Sequence, residues 1–176
     1  VQQLLEQRQA LPFLNITFMV RMPNRPTVPI QGQITVLSKD FPDGSVIDKT
    51  TRHLIWETDV VPTPNSSTYR IRIDYTLDNA PKVYVVSPKK LKLASGHDKL
   101  PHVYSTPAQQ ICLFFPGFKE WQPSKLLART IVPWASEWLM FYEIWLITGE
   151  WLGGGIDHTP RTQSSDLSRV ESEKKE

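Results

Sequence analysis

The chain is expected to be an α+β domain, and three observations predict it. Strand-like runs crowd the first half, between residues 13 and 86. A long apolar run with helical spacing occupies residues 131–152, and a polar, charged stretch follows from Thr159. Strands followed by helices, rather than alternating with them, indicate an α+β arrangement. A chain of 176 residues is long enough for one domain with a substantial core.

The elements are expected in the following order. Residues 1–10 read as a short helix, and residues 13–20, rich in β-branched and aromatic side chains, as a strand. Pro23, Pro26 and Pro29 make a stiff, turn-rich loop. Residues 31–37 read as a second strand because Ile34, Thr35 and Val36 stand together. Phe41-Pro42-Asp43-Gly44 is a turn, and residues 52–56 are a third strand. Pro62 and Pro64 open a loop that continues through Asn65, Ser66 and Ser67. Residues 69–75 alternate apolar and charged side chains, so they form a half-exposed strand, and residues 82–86 form another. The expected frame is thus an N-terminal helix, a four-stranded antiparallel β-meander, a cysteine-bearing segment and C-terminal helices. Trp134, Trp138 and Trp145 share one stripe of the last helical run, which suits a core-facing helix. The apolar side chains around its remaining faces exceed what so small a domain can cover, so part of this helix is expected to meet a partner or a second copy. The globular domain is expected over residues 1–158 and a disordered tail over residues 159–176.

Composition excludes several functions. Twenty basic and 18 acidic residues leave a net charge of +2, too balanced for a nucleic-acid-binding surface. The apolar stretch 131–152 is broken by Pro133, Glu137, Glu143 and Glu150, well short of the roughly 18 uninterrupted apolar residues that span a bilayer. The first eight residues lack a signal peptide's apolar run, and a single cysteine implies no disulfide framework, so a cytoplasmic setting is expected. His97 and His102 do not have a metal-ligand spacing, and Gly153-Gly154-Gly155 lacks the Lys-Ser/Thr of a phosphate loop. No metal or cofactor is expected.

Cys112, the lone cysteine, is either a small buried hydrophobe or a nucleophile. Its surroundings favour the nucleophile. Pro101, Val103-Tyr104, Ile111-Cys112-Leu113 and Trp121-Gln122-Pro123 follow one another in order, and Tyr75 through Val85 carries Pro81, Val83 and Tyr84 ahead of them. This ordered set resembles the active-site region of ubiquitin-conjugating enzymes, whose pattern is His-Pro-Asn-(Val/Ile)-Tyr, a loop, Ile-Cys-Leu, then Trp-x-Pro and a helix. The resemblance covers roughly residues 10–150 and is most specific over 69–134. It implies the ubiquitin-conjugating (UBC-like) fold and a cysteine that carries a protein's C-terminal carbonyl as a thioester before an amine takes it. Such chemistry needs an accessible thiol, an oxyanion stabiliser and a groove for the donor tail.

By this resemblance Cys112 is the acceptor. The family triplet reads Leu100-Pro101-His102 here, so a leucine replaces the structural histidine and His102 replaces the asparagine that polarises the oxyanion or orders the loop. Histidine can donate a hydrogen bond in that place or accept the proton of an incoming amine. The loop from His102 to Cys112 is longer than the family's usual one, which costs little in closure entropy. Tyr104 is expected to pack beneath the loop or to line the donor groove, the first being its default. Gln110 is a candidate oxyanion donor or a solvated loop amide. Trp121 and Pro123 brace the segment and start the next helix at Ser124, with Trp121 also a candidate binding residue. Glu150 and Asp157 are positional candidates for the acid that orients an attacking lysine.

The Trp-rich run from Thr130 to Trp145, with Thr148-Gly149-Glu150-Trp151 and the glycines after it, resembles more narrowly the conjugating-enzyme-like proteins of bacterial type II CBASS (cyclic-oligonucleotide-based anti-phage signalling) operons. That resemblance implies a cGAS-like nucleotidyltransferase as partner, its C-terminal tail being the cargo. The sequence carries no ATP-binding loop, so an activating enzyme supplied separately, or already conjugated material, is implied. A weakly catalytic binding module that regulates the nucleotidyltransferase is the alternative, favoured by the altered triplet and disfavoured by the retained cysteine. A cysteine hydrolase ranks last, because it would place the cysteine at a helix start beside a paired histidine.

Overall fold

The computed structural model describes residues 27–115 and 120–154. The helix expected at 1–10, the strand at 13–20 and the tail at 159–176 lie outside them. The described chain begins with α1, Ile30–Asp40. Four strands follow: β1 Ser45–Lys49, β2 His53–Val60, β3 Tyr69–Thr76 and β4 Lys82–Ser87. Two short strands, β5 Val103–Ser105 and β6 Gln110–Ile111, form a hairpin. A single 3-10 turn, Leu127–Arg129, leads into α2, Ile131–Thr148. The architecture is α+β.

Six strands form one antiparallel sheet in the order β1-β2-β3-β4-β6-β5. The first four are the expected meander, though not from all the expected segments. The segment 31–37 is helical rather than extended. Ile30, Gln33, Ile34 and Leu37 are its buried residues, a spacing that gives a helix one inward stripe. The β-branched trio at 34–36 argued for a strand, and tertiary packing of that stripe overrides it. Gln33 is fully buried in place of an apolar residue. Its amide donates to the Lys125 carbonyl (2.9 Å) and accepts from the Leu127 N–H (2.9 Å), which ties α1 to the approach of α2.

The turn at 41–44 forms as expected. A Cβ on Gly44 would lie 2.1 Å from the Trp56 ring, so only glycine allows that indole to pack fully buried beneath it. β1 has no inward apolar face and is held by its ladder to β2. β3 shows the alternation its sequence announced, with Tyr69, Ile71, Ile73 and Tyr75 buried and the residues between them facing out. The outer face pairs Glu57 of β2 with Arg72 of β3, and Asp59 with Arg70. Opposite charges directly across an antiparallel ladder reinforce register.

One core joins the sheet's inner side chains to α1, Leu127, Ala128 and the buried face of α2: Ile131, Val132, Ala135, Trp138, Leu139, Tyr142 and Trp145. Trp138 and Trp145 are core, whereas Trp134 is only partly buried. No helix begins at Ser124. The residues from Gln122 to Leu126 are irregular, and regular structure resumes at Leu127. α2 ends at Gly149, whose left-handed backbone (φ 74°) closes the last turn through a 2.8 Å bond from its N–H to the Trp145 carbonyl. The helix therefore stops well before the glycine triplet. None of the described helices is long and apolar enough to cross a membrane.

Candidate active site

The β5–β6 hairpin places the cysteine. Val103 pairs with Ile111, and one step further the Cys112 N–H donates to the His102 carbonyl at 3.0 Å. Ile111 is buried, so Cys112 beside it faces the opposite way and is half-exposed. Its thiol lies 3.7 Å from the Phe114 carbonyl. The cysteine follows a strand, not the start of a helix.

Two constraints hold this hairpin in an uncommon shape. His102 and Gln109 both adopt left-handed backbone, φ 45° and 51°. Histidine tolerates that region better than most residues. The His102 carbonyl accepts a second hydrogen bond from the Trp138 indole N–H (3.1 Å), which fastens the hairpin to α2. Gln109 is 4% exposed. Its amide N–H groups donate to the carbonyls of Val85 (2.6 Å) and Pro88 (3.1 Å), and its side-chain oxygen accepts from the Leu91 N–H. A buried amide satisfied on three sides fixes the loop against β4. The sequence shows Gln109 only as a loop residue, and its partners 18 to 24 positions away are invisible there.

Cys112 opens into a groove of about 780 Å³ whose walls include His102, Phe114, Trp134, Trp138, Phe141 and Trp151. Trp151 reaches back from beyond α2, stacks on the His102 ring (5.1 Å between centres, 25° between planes) and leans on Trp138 and Phe141. A Cβ on Gly153 would lie within 2.9 Å of both Trp151 and Phe141, so this glycine is packed against the groove wall. Three charged groups line the rim: Glu120, Lys125 and Glu137. Lys125 donates to the Glu120 carbonyl and lies over the Trp134 ring at 5.8 Å. The Glu120 carboxylate accepts from the Phe115 N–H at 3.0 Å. Glu150 does not line the groove, and Asp157 lies outside the described residues.

The remaining candidates divide. Tyr104 is 53% exposed, so it is not packed into the core; it borders a second groove of about 980 Å³. Burial of the hydroxyl, then the neighbouring Cys112 thiol, push its titration up to about 12. Gln110 pairs with Tyr84 and Ser105 in the ladder and does not line the Cys112 groove. Trp121 is buried, edge-on to Tyr75 at 5.4 Å and stacked near Phe114, which gives it a bracing position rather than a groove-facing one. Leu100 is 6% exposed and part of the core. Among the described residues no group of three or more His, Cys, Asp or Glu is placed to hold a metal ion.

The family model of the type II CBASS E2 protein matches residues 33–159, which spans the meander, the Cys112 hairpin and α2. The chain belongs to this family. Membership gives it an E2-like role in CBASS defence and a setting among CBASS proteins. No curated protein matches the chain.

Proposed function

We propose that the protein carries the C-terminal carbonyl of another protein as a thioester on Cys112 and passes it to an amine. The observation that carries this reading is the half-exposed Cys112, set at the end of a strand-borne hairpin beside His102 and lining a groove with aromatic walls and a charged rim. Sγ attacks the activated carbonyl carbon, the Sγ–C bond forms and the activating group departs. An amine then attacks the same carbon, the Sγ–C bond breaks and an amide results, with His102 the nearby imidazole to take the amine's proton. Glu137 on α2 is the carboxylate we assign to orient an incoming ammonium across the groove. The cargo is the C-terminal tail of a cGAS-like nucleotidyltransferase, activated by a separate enzyme or taken from existing conjugates. The setting is cytoplasmic.

Intact mass of the protein isolated with its operon neighbours, with and without reductant, tests this beside Cys112→Ala. A reductant-labile adduct of protein mass, absent from the alanine variant, is the expected result. No adduct, with partner binding retained by the variant, leaves the protein a binding module that regulates the nucleotidyltransferase.

A further inference from the structure

Trp151 lies beyond α2, yet it is built into the wall of the Cys112 groove. The left-handed backbone of Gly149 reverses the chain, and the Thr148 hydroxyl pins the reversal by accepting from the Glu150 N–H at 3.1 Å. The indole then lies back against α2, 5.6 Å from Trp138 and 6.0 Å from Phe141 between ring centres. Its N–H donates to the Gly154 carbonyl (3.4 Å), and Gly153 sits so close that a Cβ there would meet the indole at 2.8 Å. The ring is therefore fixed independently of the hairpin. Against it lies the His102 imidazole, 5.1 Å away and 25° from parallel. His102 is itself held at the backbone, where its carbonyl accepts from the Cys112 N–H and the Trp138 indole. Those bonds place its Cβ, and the stack on Trp151 sets its ring. A stacked imidazole keeps both nitrogens at its rim, clear of the indole face. His102 and Trp151 line the Cys112 groove and the second groove alike, so the pair forms the ridge between them.

We propose that Trp151 is a positioning residue: by stacking on His102 it holds the imidazole in the orientation in which a ring nitrogen takes the proton of the attacking amine. This rests on the thioester-carrier reading. The amine nitrogen's electron pair forms the N–C bond, the Sγ–C pair returns to sulfur, and the proton released by nitrogen passes to the ring. The imidazolium so formed lies over an indole face, where a cation is favoured. It then gives the proton to the sulfur or to water. The indole makes and breaks no bond. An unheld histidine ring turns about two side-chain bonds, so the stack removes orientations that cannot react.

Trp151→Leu takes away the aromatic face, and Trp151→Phe keeps one. Three measurements on the full chain decide the proposal. The His102 ring-proton signals, assigned by their loss in His102→Gln, are expected to move downfield in Trp151→Leu as the indole ring current disappears. Alkylation of Cys112 by iodoacetamide needs only the thiol and is expected to stay at the wild-type rate. Discharge of the reductant-labile protein adduct by free lysine is expected to slow about tenfold in Trp151→Leu and to recover most of that in Trp151→Phe. His102→Gln should slow discharge at least as much, and adding Trp151→Leu to it should slow discharge no further, because the indole acts through the imidazole. A further tenfold fall in the double variant would make Trp151 a groove wall and overturn the proposal. Adduct that discharges equally fast in wild type and Trp151→Leu overturns the Trp151 role and leaves the carrier reading standing. A wild-type protein that forms no adduct sinks the carrier reading and this role with it. If Trp151→Leu melts early, Trp151→Met, closer in size and without an aromatic face, replaces it in the same cycle, and the same outcomes decide.

Discussion

The β2–β3 ladder and the β5–β6 hairpin belong to one sheet but are held in different ways. β2 and β3 pair over eight consecutive positions without a break, one face apolar and the other ion-paired. β5 and β6 have three and two residues, a register slip, and left-handed residues at His102 and Gln109. The long ladder is stabilised by burial spread over many side chains. The hairpin depends on a few directed hydrogen bonds, from Gln109, Trp138 and the Cys112 N–H. The candidate reactive position thus lies where the sheet is shortest and its backbone least ordinary, and the regular part serves as its footing.

If that contrast holds, the largest effect on stability comes from the ladder. Trp56 is fully buried, edge-on to Phe41 at 6.1 Å and packed under Gly44. Trp56→Ala should cost about 3–5 kcal/mol, measured by urea denaturation, and should lower unfolding cooperatively across the whole domain. A loss below about 1 kcal/mol would mean that the meander is not the stabilising unit.

The next effect is smaller in stability and larger in function. Gln109→Leu keeps the volume but strands the Leu91 N–H and the Val85 and Pro88 carbonyls. The expected cost is about 2–3 kcal/mol, together with at least a tenfold slower Cys112 adduct formation. Trp56→Ala, assayed below its melting point, should leave that rate near wild type. Equal adduct rates in Gln109→Leu and wild type would show that the hairpin's shape does not depend on this amide.

The same contrast explains what was legible in the sequence. β3 could be read directly because every second residue enters the core. β1 could not, since its residues are nearly all exposed and only pairing with β2 makes it a strand. β5 and β6 are too short to carry a period. α1 was masked by its β-branched trio, and the decisive residue, Gln33, finds its partners at Lys125 and Leu127. In the site, Cys112, His102 and Tyr104 are close in sequence and could be singled out together through the family resemblance. Gln109 and Glu137 could not be assigned places at the site because tertiary packing alone brings them there, and Trp151 was visible only as part of an aromatic run.

The smallest effect tests the ladder's outer face through pH. Glu57 is 7% exposed, and burial alone would raise its carboxyl's titration. Hydrogen bonds from Arg70 (2.9 Å) and Arg72 (2.7 Å) outweigh that and hold the carboxyl below its ordinary value of 4.5. A carboxyl depressed in the folded state makes the unfolded chain the better proton acceptor as pH falls. Its stabilising contribution is therefore complete well above pH 4.5 and is lost as pH drops through the folded value. Glu57→Gln should cost about 1 kcal/mol near neutral pH and should flatten the fall in stability at acid pH, read from urea midpoints between pH 6 and pH 3. The Cys112 alkylation rate should stay the same in both proteins at neutral pH, because the ion-paired face and the hairpin are separate supports. A variant that keeps the full acid slope would place the pH sensitivity elsewhere, and one that also slows alkylation would show that the long ladder and the Cys112 hairpin are coupled.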